Sequence, residues 1–212
     1  MRFRLLFVAF TLVVCGISPA LAQRADPVGP FAVDVRGLTT ALPTASGWIP
    51  AVPEGTIVPS RGYGLDGGIH VYPFQLGPAR VGFGGALTFA RGTASSDTVD
   101  GRQEVVTKSS TLAPQISFNF GHRQGWSHLS FGYGLAKVTS DASGGVLAPV
   151  TNDSGWGGAI NFGGGARWFL SEHFGAGFDV RWHKLGSRDA SATSAAAPRT
   201  TLFQIAVGVT VH

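Results

Sequence analysis

The chain has almost no cysteine. One occurs in 212 residues, Cys15, and it sits inside an apolar N-terminal run. A disulfide scaffold and a thiolate metal site are therefore excluded. Charge is scarce as well: Asp, Glu, Lys and Arg make up 13% of the residues, about half the share usual for a soluble domain. Nor is the charge concentrated. With Arg2 and Arg4 set aside, 14 of the 16 basic residues stand against 12 acidic ones. No basic run and no basic helical face appears, so nucleic acid is not an expected partner. Beyond the N-terminus no apolar stretch approaches the roughly 18–20 residues of a spanning helix. Strands do not alternate with helical patterns, which argues against a parallel α/β fold. There is no phosphate-binding loop: Gly163-Gly164-Gly165 falls within a strand pattern and opens no helix.

What is present begins with an export signal. Arg2 and Arg4 precede an apolar run from Leu5 to Val14, and Ala20-Leu21-Ala22 before Gln23 is a small-x-small cleavage site. Residues 1–22 read as a secretory signal peptide cleaved after Ala22. The bulky Val14 before Cys15 argues against a lipoprotein signal, so Cys15 is expected to leave with the peptide. Glycine is abundant, 31 of 212 residues, about twice the common rate. An exported, charge-poor, glycine-rich chain without apolar helices suggests a membrane β-barrel, whose lipid-facing residues are only every second one.

Period-2 alternation carries that reading. In WGGAINFGGGARW, residues 156–168, one parity gives Trp156, Gly158, Ile160, Phe162, Gly164, Ala166 and Trp168. The other gives Gly157, Ala159, Asn161, Gly163, Gly165 and Arg167. A strand puts these sets on opposite faces; a helix would mix them. The same split recurs at 81–89, 112–120, 129–135, 174–182 and 203–211, and less sharply at 31–36 and 63–74, where Gly67-Gly68 blurs the register. Eight strands of mostly 9–13 residues are expected, the length of tilted membrane strands. Connections alternate long and short. Residues 38–61, 92–108, 140–154 and 187–200 read as long loops, and 75–79, 121–125 and 170–173 as short turns. Long outer loops and short periplasmic turns are the pattern of an outer-membrane barrel.

The stretch GGGARWFLSEHFGAGFDVRW at 163–182 resembles the penultimate hairpin of the OmpA-like family of eight-stranded outer-membrane β-barrels. The resemblance covers roughly residues 28–212 and is one of pattern, not of a catalytic motif. It implies an all-β, eight-stranded antiparallel up-and-down transmembrane barrel over residues 23–212, located in the bacterial outer membrane. The chain departs from the family at its end, where Val211-His212 replaces an outward-facing terminal aromatic.

By parity, Asp34, Arg36, Asp66, His70, Arg80, Arg167, Asp179, Arg181 and His183 point into the lumen. An eight-stranded interior is about filled by side chains, and buried charges must pair. A salt-bridged plug is expected, with Arg36, Arg167 and Asp34 as partners of the Asp179-Arg181-His183 ladder. The same ladder could also serve as the gate of a narrow pore for water or small ions. His128 and Ser130 share one face, as in barrels that deacylate lipid A. However, they lie toward the periplasmic end and are followed by Phe131-Gly132-Tyr133 rather than the fuller motif, so no catalytic residue is assigned. The histidines show no metal-ligand spacing, and the loop acids Asp97, Asp100, Asp141, Asp153 and Asp189 read as solvated tips. No cofactor and no metal are expected. Trp126, Trp156, Trp168 and Trp182 fall near strand ends and are expected in interfacial belts. Arg91, Lys137 and Lys184, near the outer ends on the lipid-facing parity, are candidate contacts for lipopolysaccharide phosphates. The expected role is structural or surface-interacting. Outer-membrane lipids and lipopolysaccharide are the expected partners, the long loops would offer a surface to an extracellular ligand, and the chain would act as a monomer.

Overall fold

The computed structural model of the chain describes residues 31–99, 101–122, 124–145, 147–190 and 196–212. The signal peptide, its cleavage after Ala22, Cys15 and the domain start at residue 23 lie outside the described residues, as does Asp100. The described chain is all β. Its strands are β1 (Phe31–Ala41), β2 (Arg61–Leu76), β3 (Ala79–Thr98), β4 (Gly101–His122), β5 (Gly125–Gly144), β6 (Leu147–Asp153), β7 (Gly157–Phe169), β8 (Phe174–Leu185) and β9 (Thr200–Val211). Every pairing between them is antiparallel.

Eight of these strands close on themselves. The ring runs β1-β2-β3-β4-β5-β7-β8-β9 and returns to β1 through the β1–β9 ladder, with Val35 opposite Val209. Closure removes the sheet edges along the membrane-spanning part of the wall. Outward residues such as Val35, Leu65, Ile69, Phe83, Leu129, Phe131, Ile160 and Val209 form an exposed apolar belt. A water-facing surface does not carry so large an apolar area. Lipid does, and the barrel is a transmembrane one.

The wall is much taller on one side. β3, β4 and β5 are 20, 22 and 20 residues long, whereas β1, β8 and β9 have 11, 12 and 12. A tilted membrane strand needs only about 9–11. The segment 92–108, expected as a long loop, is instead a continued hairpin, with Thr98 paired to Gly101. Its Ser and Thr residues are polar on both faces, which suits a strand standing in water and hides the alternation that marks membrane strands. Residues 140–154 are likewise mostly strand. β6 pairs with the upper part of β5, and β7 takes over lower down. Between them the Ser154 hydroxyl accepts from the Val138 amide at 3.0 Å, and Gly155 turns the chain with φ +64°. β6 and β7 thus act as one interrupted partner for β5. In β2 the register is continuous through Gly67-Gly68, and the irregularity lies between Val71 and Phe74.

Candidate functional site

The lumen is filled in three layers. At the end of the short turns Ala32, Tyr72, Trp126 and Phe169 form a buried apolar cluster. Trp126 packs edge-on against both Tyr72 and Phe169, at 5.3 and 5.2 Å between centroids. His212 closes over Phe169 at 4.3 Å, and Arg80 lies half-buried at the rim, 5.6 Å from the Trp126 ring. Trp126 therefore does not join an interfacial belt. It shares its parity with His128 and Ser130, and inward is where that parity points. Trp182 does face lipid, but it is stacked on Phe162 and tilted against Phe203. Trp156 and Trp168 are about half exposed near opposite ends of the wall, the positions of a belt.

The middle layer holds the charges, in two clusters. Arg167 reaches from β7 across the lumen to Asp34 on β1. Its Nε donates to Asp34 Oδ1 at 2.9 Å and its Nη2 to Oδ2 at 2.6 Å, a bidentate fork. Arg36 lies between Asp34, at 2.7 Å, and Asp66, at 2.8 Å. The Thr210 hydroxyl donates to Asp34 at 2.6 Å. The second cluster is built on Asp179. Arg181 donates to both of its oxygens at 3.0 Å, and His128 Nε2 is 3.0 Å from Oδ2. Arg181 also donates to Asn161 Oδ1 and Ser130 Oγ, at 2.9 and 2.7 Å. Gln115 extends the network, donating to Asn161 at 3.1 Å and meeting His70 Nε2 at 3.2 Å. Three carboxylates face three guanidiniums, all nearly fully buried.

Asp179 is thus paired with Arg181, two residues along its own strand, and not with Arg36 or Arg167 as the sequence suggested. Residues i and i+2 share a face about 6.6 Å apart, and a guanidinium spans that distance locally. His183 is buried above this cluster, in register with Asn161 and Leu202.

Two glycines make the second cluster geometrically feasible. Across β5, β7 and β8 the register places His128, Gly165 and Asp179 in one row and Ser130, Gly163 and Arg181 in the next. Both glycines face inward, so side chains from β8 pass over β7 to reach β5. A Cβ on Gly165 would collide with the Phe178 backbone carbonyl, and one on Gly163 with the Val180 backbone carbonyl, both on β8. Between the clusters is an enclosed space of about 10 Å³ for water centres, lined by Arg36, Asp66, His70, Ser117, His128 and Ser130 among others. It is large enough for about one water molecule.

The outer layer is apolar again. Trp48, from the loop joining β1 to β2, is buried against the inward residues Ala136, Val138, Ala159, Leu185 and Leu202, with Ala197 from the β8–β9 connection. Nothing in the strand alternation marks Trp48, because it lies in an irregular segment.

The outer wall carries a second feature. Arg91, Lys108 and Thr139 are neighbours in register on β3, β4 and β5. Lys108 pairs with Asp141 at 3.1 Å, Lys137 with Asp153 at 2.6 Å, and the Thr151 hydroxyl donates to Asp141 at 2.8 Å. Slight burial works to raise the Asp141 carboxyl, but the bonds from Thr151 and Lys108 outweigh it and hold it below the ordinary carboxylate value. Arg91 and Lys137 are thus brought together with Lys108, which the sequence reading did not single out. Lys184 lies apart on β8, exposed, 5.5 Å from the Phe162 ring. Among the described residues no group of three or more His, Cys, Asp or Glu could hold a metal.

Comparison with solved structures agrees with the topology. Neisserial surface protein A superposes with a TM-score of 0.52 at 11% identity, covering 86% of this chain and 97% of that one. This is the fold of the eight-stranded outer-membrane β-barrels. Ail, the attachment invasion locus protein of Yersinia pestis, superposes on this outer-membrane-type barrel with a TM-score of 0.50 at 9% identity, over 87% of this chain and 98% of that one. No family model matches the sequence, and no curated protein does either. At such identities the barrel shares a backbone plan with these proteins, and its lumen and wall are its own.

Asp34→Leu leaves Arg36 and Arg167 buried without their shared carboxylate. It should destabilise the barrel by about 3–5 kcal/mol, read from urea unfolding in lipid vesicles. Gly165→Val meets the Phe178 backbone carbonyl, should cost more than the about 1–3 kcal/mol of ordinary overpacking, and should separate His128 from Asp179. Loss of the Asp179-dependent shift in the His128 ring resonances would register that separation, and an unchanged spectrum would contradict it.

Proposed function

We propose that this protein is a bacterial outer-membrane barrel with a structural or surface-contact role, its lumen closed by a neutral plug and its tall wall presented to the outside. The observation that carries the reading is the completeness of the filling. A balanced set of three carboxylates and three guanidiniums lies between two apolar layers, with room for about one water. Isolated buried charges would be costly, and here each acid has a guanidinium within 3.0 Å. A conducting path would have to displace aromatic side chains at both ends as well as exchange ion pairs.

The geometry also speaks against a hydrolase. Ser130 Oγ accepts from Arg181, and His128 Nε2 is engaged by Asp179, so the pair is not arranged as nucleophile and base. Both side chains are enclosed in the lumen, away from the outer leaflet. For contacts with outer-membrane lipids, the patch of Arg91, Lys108 and Lys137 stands at the height where the wall leaves the apolar belt, with Lys108 and Lys137 exchangeable between their acids, Asp141 and Asp153, and an outside anion. Lipopolysaccharide phosphates fit that charge, and the patch is the proposed contact in preference to Lys184.

In planar bilayers the protein should show no discrete openings. Openings abolished by altering Asp179 or Arg181 would instead establish a gated pore. Lipid A acyl chains should be unchanged by mass spectrometry whether or not the protein is expressed. Replacing Arg91, Lys108 and Lys137 together by Gln should reduce co-purified lipopolysaccharide several-fold, on the scale of about 1 kcal/mol per cation near a charged surface, whereas Lys184→Gln should leave it near the parent level.

A further inference from the structure

The loop between β1 and β2 enters the barrel, and a single side chain fills the outer chamber. Trp48 is 1% exposed. Its Nε1 donates to the Pro198 carbonyl at 3.0 Å, and the Arg188 guanidinium stands over its ring at 5.9 Å. Small residues, Ala136, Ala159 and Ala197, give the chamber its width, and Val138, Leu185 and Leu202 complete its lining. An acceptor at the edge, a cation over the face and an apolar surround together describe a receptor for an indole. Trp48 occupies it as a tethered ligand.

Among the described residues, a few hydrogen bonds join the tether to the wall, beside the burial of Leu42, Ile49 and Pro50. Leu42 anchors the start of the loop in the space that Gly62 and Gly92 leave open. Beyond it, Asn152 donates to the Gly47 carbonyl at 2.9 Å, and Ile57 donates to Ser96 Oγ at 3.0 Å. Arg188 is the latch on the opposite side. Its Nη1 donates to the Ser154 carbonyl and hydroxyl, both at 2.9 Å, and its Nη2 to the Ala136 carbonyl at 2.8 Å. It also bridges to Ala197 through a two-bond backbone pairing. One guanidinium therefore ties the β5 wall, the β6–β7 junction and the β8–β9 connection around the Trp48 ring. Beneath the chamber the charged layer is complete, so lifting the loop would open a blind vestibule and not a channel.

We propose that the outer lumen is a binding site for a flat aromatic molecule of indole size, held shut by Trp48 and released when the 42–60 loop lifts. This goes beyond the plug reading and rests on its charged middle layer, which stays closed in either state, and not on its outer apolar layer.

A thiol reporter at Leu202, buried beneath Trp48 at 2% exposure, tests the proposal. The full chain carrying Leu202→Cys is purified in its folded, heat-modifiable form and treated with a water-soluble maleimide, with the unsubstituted chain as the blank for Cys15. The reporter should be shielded while Trp48 is present. In the Leu202→Cys, Trp48→Ala chain, labelling should rise roughly tenfold or more, as for a locally opened site. Free indole at about ten times its Kd should then slow it again roughly tenfold. A folded Trp48→Ala chain whose reporter stays shielded overturns the lid. Labelling that indole does not slow overturns the aromatic site. Should Trp48→Ala fail to fold, Arg188→Met with the same reporter unlatches the loop and leaves Trp48 in place. Faster labelling is then expected, and an unchanged rate overturns the proposal. Bilayer conductance should be the same with and without Trp48, which separates this test from that of the plug.

Discussion

The fork between Arg167 and Asp34 is the joint on which the interior depends. It crosses the lumen from β7 to β1, and the ladder order places three strand steps between them by the shorter way round the ring. Asp34 also receives Thr210 and lies against Arg36, which in turn holds Asp66. Three strands, β1, β7 and β9, therefore meet at one carboxylate, and Arg36 links β2 to them through Asp66. In a medium that offers no water to an orphaned charge, a centre of this kind specifies register as well as adding stability. A one-residue slip of β1 would turn both Asp34 and Arg36 into the lipid.

The glycines are the counterpart of this charge. A narrow ring of eight strands has little interior volume, and arginines are long. Room for them comes from inward positions with no side chain, most clearly Gly163 and Gly165, over which β8 reaches β5. High glycine content and low charge, which look like separate peculiarities of composition, are two sides of one packing problem. Few charges are present because each must be housed and neutralised, and the glycines provide the housing.

Much of this was legible in the sequence, for a physical reason. Inside a membrane a strand shows lipid on one face and lumen on the other, so alternation is enforced at every step. The eight-strand plan, the lipid-facing set and the inward parity of the lumen charges, with Arg80 at the rim, could be read from it. Trp126 shows that the same rule, carried two residues beyond His128, would have placed that ring in the lumen and not at an interface. The rule fails above the apolar belt, where the outward face is no longer held to apolar residues. The upper hairpin of β3 and β4 reads as a loop because Ser, Thr and Asp fall on both parities and the adjacent Val105-Val106 breaks the alternation, and β6 because it is short and holds Pro149. It is silent on Trp48, whose burial depends on a non-local fold of an irregular, proline-containing segment. Pairing within the lumen was also out of reach: parity says which charges are inside, whereas the stagger between strands decides which of them meet.

The unequal height of the wall gives the molecule a bearing. At about 3.3 Å per residue, β4 exceeds β1 by roughly 36 Å of strand length. From the β1 and β9 side an approaching molecule meets a low rim and the loop that carries Trp48. From the β4 side it meets a screen of hydrogen-bonded sheet standing clear of the lipid. Access to the mouth is therefore not symmetric about the barrel axis. Rotation of the barrel within the plane of the membrane, which would be invisible for a level rim, decides what its neighbours can reach.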